Sequence, residues 1–408
     1  METNNKIKLC HLITQTHFGG AQKYICDIVN NLDNSFEITI AFGEGKTEDL
    51  QKYITNPRVK FKKLKFLARN INPFKDNLSW WEILFFCKKN KFSILHLHSS
   101  KAGFIGSWVA KLAGVKKIIY TAHGWVFKEN LSSFKRNLYL FLEKYSSEFK
   151  NKIICVSKND YDEALKNKIC KEEKLVLIYN GFKVNNEFLK KENAREKIFN
   201  KIRETNKNSS SEEDLSSLEV DSNKPITRYI PLDQNTQIIG TISNLYPNKG
   251  LKCLIESTKK LNSIYDNLIF IVIGSGPEEK KLKILVNKLE IHNFYFLGKI
   301  DNATKYLKAF DIFTLTSTKE GLPYTLLEAL GAEISIVSSN LESLTEIIEN
   351  NQNGVIFKAM NSDDLVYKIQ SLLNNQEFAN KLKSNTKNSL EKFNFDEFMK
   401  KIKVLYLN

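Results

Sequence analysis

Long apolar runs are missing from this 408-residue sequence. No stretch approaches the ~18 consecutive apolar residues that a membrane-crossing helix needs. The longest, such as Leu268–Ile273, have the length of buried strands. Met1–Lys8 carries charge without an apolar core, so no secretory signal is expected. Cysteine is sparse: Cys10, Cys26, Cys87, Cys155, Cys170 and Cys253 lie far apart and never at C-x-x-C spacing. That argues against a structural zinc site and fits reduced thiols in a cytosol. Together these absences argue against a secreted, membrane-spanning or zinc-scaffold protein. What is present, 42% hydrophobic and 26% charged residues, suffices for folded cores. At ~100–200 residues per domain the length implies two or three domains.

The formal net charge of +15 is distributed unevenly. Residues 1–190 carry 32 Lys and Arg against 18 Asp and Glu, whereas the remainder carries 29 against 28. Within the first half, residues 51–150 hold 20 basic against 5 acidic side chains. A field so lopsided draws an anionic partner to one domain. Arg58–Arg69 interleaves Lys and Arg with Phe and Leu and is followed by Trp80, Trp81, Phe85 and Phe86. Basic and aromatic residues together suit a segment at the headgroup level of an anionic membrane. For any single residue here, a basic strand edge followed by an amphipathic core helix is the more ordinary account. Nucleic acid is not expected as a partner, because no helix-turn-helix, zinc-finger or RNA-recognition signature accompanies the charge.

Short apolar runs alternate with longer mixed segments, the rhythm of βαβ units and a parallel sheet. Candidate strands are Lys8–Thr14, Glu37–Phe42, Ile94–His98, Lys117–Thr121, Ile153–Val156 and Leu175–Tyr179, with helices over Ala21–Leu32, Ser79–Lys89, Ala102–Leu112 and Lys158–Asn167. The rhythm restarts with strands at Gln237–Thr241, Leu268–Gly274, Asn293–Leu297, Ile312–Thr316 and Ser335–Ser338. Helices there are expected over Leu251–Asn262, Glu278–Leu289 and Thr325–Gly331. Between the two series Ala194–Asn235 is rich in Lys, Glu, Ser and Asn, and its centre from Asn206 has no apolar period, as in a disordered insertion or exposed loop. The expected organisation is an N-terminal domain over 1–190, a linker or low-complexity insertion over 191–235, a second domain over 236–385, and a C-terminal helix in 386–408 that packs back toward the first domain.

Four features fall just beyond expected strand ends, where open parallel sheets bind ligands. Gly19 and Gly20 follow the first strand and open a helix, which suits an anion or simply a tight turn. His123, in Thr121-Ala-His-Gly-Trp125, could hydrogen-bond a sugar hydroxyl, although a lone His is more often structural. In the second series Lys249-Gly250 follows Asn244 and offers a point charge to phosphate. Gly274-Ser-Gly276 follows the next strand, but Glu279 occupies the third Gly position of G-x-G-x-x-G, which disfavours a nicotinamide dinucleotide. The fourth feature is Glu320-Gly-Leu322-Pro323-Tyr324-Thr325-Leu-Leu-Glu328. Its carboxylates flank a turn and a helix start whose free amides suit a phosphate, so that each Glu reaches hydroxyls of a different sugar ring.

These residues resemble the family 4 glycosyltransferases of the GT-B fold, over nearly the whole chain outside Ala194–Asn235. The specific core is Glu-x7-Glu at Glu320 and Glu328, preceded by Ser317 and followed by Glu346-Ile-Ile, with support from Gly19-Gly20, His123, Asn180-Gly181, Lys249-Gly250 and Gly274-x-Gly276. The stretches His96–Gly103 and Thr121–Trp125 are similar to those of bacterial enzymes that extend lipid-linked surface polysaccharides or glycans. The resemblance implies an α/β fold of two Rossmann-like, doubly wound parallel-sheet domains facing each other across a cleft. It implies a retaining, metal-independent transferase without a cofactor, using a nucleotide-diphosphate sugar, UDP-linked, as co-substrate. The acceptor would be a polyprenyl-diphosphate-linked saccharide, and the protein would work in the cytoplasm, peripheral on the inner face of the cell membrane. Glu320 would contact the donor sugar and Glu328 the ribose. Lys249 would neutralise the diphosphate, helped by amides around Leu322–Thr325 and the Gly19-Gly20 loop, while His123 reaches the sugar.

The family usually places an Arg beside the diphosphate where this chain has Asn244, so reduced activity or another cation is expected. Glu342-Ser343 replaces a glycine pair, and Lys183 replaces an Asp that often follows Asn-Gly. A nucleotide-sugar epimerase or hydrolase, or a non-catalytic sugar-nucleotide or lipid-binding partner of another transferase, are the alternatives. Asp160-Tyr-Asp162 matches D-x-D, a metal–nucleotide pattern of other transferases, and is read here as a solvated helix start favoured by the helix dipole.

Overall fold

A computed structural model describes residues 6–129, 131–183, 188–209, 232–233 and 235–408. The chain forms two compact units: Met1–Gly181 with Glu320–Pro323 and Lys392–Asn408, and Phe182–Lys319 with Tyr324–Glu391. The first unit contains β1 (Ile7–Gln15), β2 (Phe36–Glu44), β3 (Lys60–Lys63), β4 (Ile94–His98), β5 (Lys117–Ala122), β6 (Lys152–Cys155) and β7 (Leu175–Leu177). They form one sheet in the order β3-β2-β1-β4-β5-β6-β7, with every pairing parallel. The second unit contains β8 (Gln237–Ile242), β9 (Leu268–Ile273), β10 (Phe294–Phe296), β11 (Ile312–Leu315), β12 (Ser335–Ser339) and β13 (Val355–Phe357), in the parallel order β10-β9-β8-β11-β12-β13.

Strands covered on both faces read as continuous apolar runs, and β9, Leu-Ile-Phe-Ile-Val-Ile, is buried at all six positions. In β4 the alternation matters more. Leu95 and Leu97 join the core under helices Pro73–Asn90 and Ser100–Leu112, while His96 and His98 take the opposite face and are just as buried. The basic stretch from Arg58 contains edge strand β3, with Leu64 and Leu67 buried after it. An exposed Lys-rich edge resists pairing with other chains. The helix expected from Ser79 begins at Pro73, because Asn72 caps it by accepting from Lys75 N and proline fits the first turn.

Two stretches depart from the sequence-based expectation. Ala194–Asn235 does not start as a linker, since helix Lys191–Ser209 buries Ala194, Ile198 and Ile202 at helical spacing. Its Arg195 pairs with Asp311 and donates from Nη1 to Thr236 O at 3.0 Å. The high Lys and Glu content of its exposed side hides this narrow apolar stripe. The remainder of the expected insertion, residues 210–231 and 234, lies outside the described residues. Helix Ser133–Ser147 has no counterpart among the expected elements, because its buried residues are Glu143, Ser146 and Ser147 and its Phe134 and Phe141 face solvent.

Helix Phe395–Leu407 belongs to the first unit and buries Phe398, Met399, Ile402 and Tyr406. The Phe398 ring lies 5.3 Å from that of Tyr24, on helix Gly20–Asn31. Replacing Phe398 by Ala is expected to destabilise the first unit by roughly 3–5 kcal/mol, measured by denaturant unfolding of the full chain.

Candidate active site

In an open parallel sheet, ligands gather beyond the strand C-termini at the point where the strand order reverses. In the second unit that point lies between β8 and β11. The loops there are held by their own backbone. Ser243 N donates to Ile273 O at 2.9 Å, Leu245 N to Ser275 O at 3.0 Å, and Thr318 N to Asn248 O at 2.8 Å. Gly274 has φ +147°, and a Cβ on it would stand 2.0 Å from Ser243 O, so only glycine lets the loops after β8 and β9 approach this closely. Lys249 ends the short 3-10 turn Pro247–Lys249 just before helix Leu251–Leu261, and Thr316 Oγ1 donates to its carbonyl at 2.9 Å. Asn244 is exposed on the first of these loops. Helix Tyr324–Gly331 opens directly after Pro323, with Tyr324 and Thr325 in its first turn and Glu328 buried one turn further on. The second unit thus brings Asn244, Lys249, Gly274, Gly276, Tyr324, Thr325 and Glu328 to loops and a helix start around one switch point.

In the first unit the order reverses between β1 and β4. Gly19 and Gly20 follow β1 there, and helix Gly20–Asn31 brings Tyr24 to 5.0 Å, edge to face, from the ring of His123. Glu320–Pro323 belongs to this unit. A Cβ on Gly321 would lie 2.9 Å from the His123 carbonyl carbon and 3.0 Å from Gly124 N, so the backbone carrying Glu320 rests directly on that carrying His123. Asn180, buried, donates from Nδ2 to Leu322 O at 2.7 Å. Its link to the loop whose amides were expected to meet phosphate is invisible in the sequence, although Asn180-Gly181 stood among the supporting matches. His123, Glu320, Leu322 and Pro323 are therefore brought together.

Behind His123 runs a cluster that takes His96, His98 and Thr121 from the stretches noted in the sequence and joins them to His11 and Tyr406, which no sequence pattern singled out. His11 Nδ1 is 2.9 Å from His98 Nε2, and His98 Nδ1 is 3.2 Å from His123 Nε2. His96 bonds Tyr406 Oη through Nδ1 at 2.6 Å and Thr121 Oγ1 through Nε2 at 2.7 Å. Register explains the grouping: His11 pairs with His96 across β1 and β4, and His98 with Thr121 across β4 and β5, so all share one face. Burial holds His11 down to about 3. Burial first, then repulsion between the rings, holds His96 and His98 well below the usual imidazole range. Burial also lowers His123, so all four are neutral at pH 7. The alternation Leu95-His96-Leu97-His98 was the available signal.

The D-x-D match is corrected in part. Ser157 caps helix Lys158–Lys166 by accepting from Asp160 N, and Asp162 is exposed as expected of a solvated start, but Asp160 is buried. The buried Trp125 indole donates to the Asp160 backbone carbonyl at 2.7 Å. The basic–aromatic segment divides as well. Ile83 and Leu84 enter the core, whereas Trp81 and Phe85 are 48% and 63% exposed. Trp80 links Trp81 and Trp108 at ring separations of 4.8 and 5.8 Å, and Trp108 meets Tyr145 at 6.4 Å. With Phe74, Phe134 and Phe141, exposed apolar rings thus occur on three consecutive helices, alongside exposed Lys88, Lys111, Lys135, Arg136 and Lys144. Among the described residues no helix is long and apolar enough to cross a membrane.

Two Rossmann-like parallel-sheet units, each with ligand-type loops at its switch point, make this a GT-B protein. Residues 18–186 match the family model described as Glycosyltransferase Family 4, and residues 224–389 the one described as Glycosyl transferases group 1. The chain belongs to the family 4 glycosyltransferases. It is 25% identical over 414 residues to the UDP-Gal:alpha-D-GlcNAc-diphosphoundecaprenol alpha-1,3-galactosyltransferase of Escherichia coli, covering 100% of this chain and 98% of that one. The O-antigen biosynthesis glycosyltransferase WbnH of Escherichia coli is 26% identical over 367 residues, covering 90% of each chain. Among solved structures, Anabaena HepE in complex with UDP-glucose superposes with a TM-score of 0.76 at 18% identity, covering 97% of this chain and 98% of that one.

Replacing Asn180 by Ala leaves the Leu322 carbonyl without its donor. Transferase turnover is expected to fall while stability drops by about 1–3 kcal/mol, read by steady-state kinetics and denaturant unfolding. Gly274→Ala must push the β8 and β9 loops apart, and a melting temperature within a degree of the native protein's would refute that packing argument.

Proposed function

We propose that this glycosyltransferase moves a hexose or N-acetylhexosamine, with retention of configuration, from a UDP-sugar to a saccharide carried on a polyprenyl diphosphate, in the synthesis of surface polysaccharide or glycan. The observation that carries the reading is the convergence, within the second unit, of Lys249, the close-packed glycine loop at Gly274 and the helix bearing Glu328 around one switch point. A diphosphate fits such a place: a point charge and free first-turn amides stabilise the anion as it leaves. Glu328 binds the ribose. Gly19 and Gly20 contribute amides to the donor phosphates, and Gly276 keeps side chains away from them. Glu320 and His123, on touching backbone, orient the sugar and support the positive charge that develops on it. Attack from the face the leaving group vacates lets the departing phosphate oxygen accept the acceptor's proton, so no protein base and no resident metal enters the step. Asn244, in place of the usual Arg, leaves Lys249 the larger share of leaving-group neutralisation. The activity by which the Escherichia coli relative is named, a galactosyl transfer to a diphosphoundecaprenol-linked GlcNAc, supports the choice of donor and acceptor class.

The exposed aromatic residues on helices Pro73–Asn90, Ser100–Leu112 and Ser133–Ser147, among exposed lysines, are read as the face that meets the anionic membrane holding that acceptor. The protein then acts as a peripheral enzyme on the cytoplasmic side.

A screen of UDP-, GDP- and ADP-sugars with a lipid-diphosphate saccharide tests the main reading. Product with a UDP-sugar, resistant to EDTA, is expected. Altered free sugar from donor alone would instead indicate an epimerase or hydrolase. Glu320→Ala and Lys249→Ala are each expected to lower turnover by ~10²-fold or more, and near-native rates would remove those assignments. In sedimentation with phosphatidylglycerol vesicles, binding should weaken with added salt and with the double change Trp81→Ser and Phe141→Ser. Binding indifferent to both would sink the membrane reading.

A further inference from the structure

Three buried or half-buried imidazoles form a chain that ends at His123: His11 to His98 at 2.9 Å, and His98 to His123 at 3.2 Å. A neutral imidazole has one N–H donor and one bare acceptor, so the chain can carry its protons in only two directions. The inner end decides between them. His11 Nε2 is fully buried and has no hydrogen-bond partner. A buried N–H without an acceptor is rarer and costlier than a lone pair without a donor. The His11 proton therefore sits on Nδ1 and is donated to His98 Nε2. His98 must then hold its own proton on Nδ1 and donate it to His123 Nε2.

Resting on the transferase reading above, we infer that His98, backed by His11, is a positioning residue that fixes the His123 proton on Nδ1, so that His123 offers the sugar an N–H donor. His123 Nδ1 makes no hydrogen bond among the described residues, so it is the nitrogen left for a ligand oxygen. The opposite tautomer would present a bare lone pair there and favour a hydroxyl proton instead. His11, His96 and His98 also place ring nitrogens within 4.8 Å of one another, a spacing that would suit a cation. His96, however, spends both nitrogens on Tyr406 and Thr121, and His11 Nδ1 and His98 Nε2 face each other, which leaves no three lone pairs converging. Neutral rings throughout also avoid a buried charge in the chain.

With only six histidines, long-range proton–nitrogen correlation spectra of the full chain carrying isotope-labelled histidine can resolve each ring. The His123 signal is expected to report Nδ1–H in the native protein and to shift toward Nε2–H in His98→Leu. In that variant kcat should fall roughly tenfold or more while KM for the nucleotide sugar stays within about threefold. His98→Gln, whose amide can still donate to His123 Nε2, should restore Nδ1–H and most of kcat. Nε2–H in the native protein, an unchanged tautomer in a folded His98→Leu, or one equivalent of tightly bound zinc or copper would each overturn the inference. Should His98→Leu not fold, the native spectrum and His98→Gln decide. Because the native spectrum needs no substrate, an inactive protein with Nδ1–H would refute the transferase reading alone. An active one with Nε2–H would refute the relay alone.

Discussion

Every strand pairing in both sheets is parallel, and parallel strands need cover on both faces. In the inner strands backbone polar groups are consumed by the ladder, and side chains on either face are largely shut away from water. Chemistry is left to the loops beyond the strand C-termini, where the chain turns into a helix and offers unpaired amides. Both switch points, β1/β4 and β8/β11, meet that description. The loops at these two points are where the architecture leaves room for polar residues to meet a ligand.

This constraint also sets what the sequence could reveal. Continuous apolar runs such as Leu268–Ile273 are visible because both faces are buried, and the helix starts after β1, β8 and β11 are visible because glycine, lysine or proline marks them. The carboxylate spacing at Glu320 and Glu328 is legible for the same local reason. What stays hidden depends on contacts far along the chain. Helix Ser133–Ser147 buries Glu143 against Lys150, an ion pair at 3.3 Å, so its inner face looks polar. Helix Lys191–Ser209 hides a narrow stripe under charge. Asn180 is a plain asparagine until its amide meets Leu322, and His11 a plain strand residue until its register with His96 is known.

The charge asymmetry was legible in amount and only partly in place. Residues 51–150 are strongly basic, yet the stretch from Arg58 holds the edge strand β3 and the buried Leu64 and Leu67 that follow it. Lysine there protects a sheet edge. Of the aromatic residues that follow this stretch, Trp81 and Phe85 are exposed as an interfacial segment requires, but the exposed rings extend over three successive α-helices, and helix Ser133–Ser147 supplies three of them, Phe134, Phe141 and Tyr145. A helix whose apolar side faces water shows no core face in its sequence pattern, so neither the element nor the surface it carries is legible there.

The division of the chain into two units cuts through the carboxylate motif. The two carboxylates of the Glu-x7-Glu motif read as one device in the sequence, yet Glu320 lies in the first unit and Glu328 in the second, separated by Tyr324, where the chain re-enters the second unit. The first unit is completed by two late segments. Glu320–Pro323 rests on His123-Gly124 and is held by Asn180, and helix Phe395–Leu407 covers the histidine face with Phe398 and Tyr406. Tyr406 bonds His96, which bonds Thr121, whose hydroxyl lies 3.5 Å from that of Tyr24, the ring packed against His123. The end of the chain is thereby wired to the same imidazole as its beginning. A change near residue 400 can therefore reach His123 through packing and hydrogen bonds, although no motif places that helix in the site.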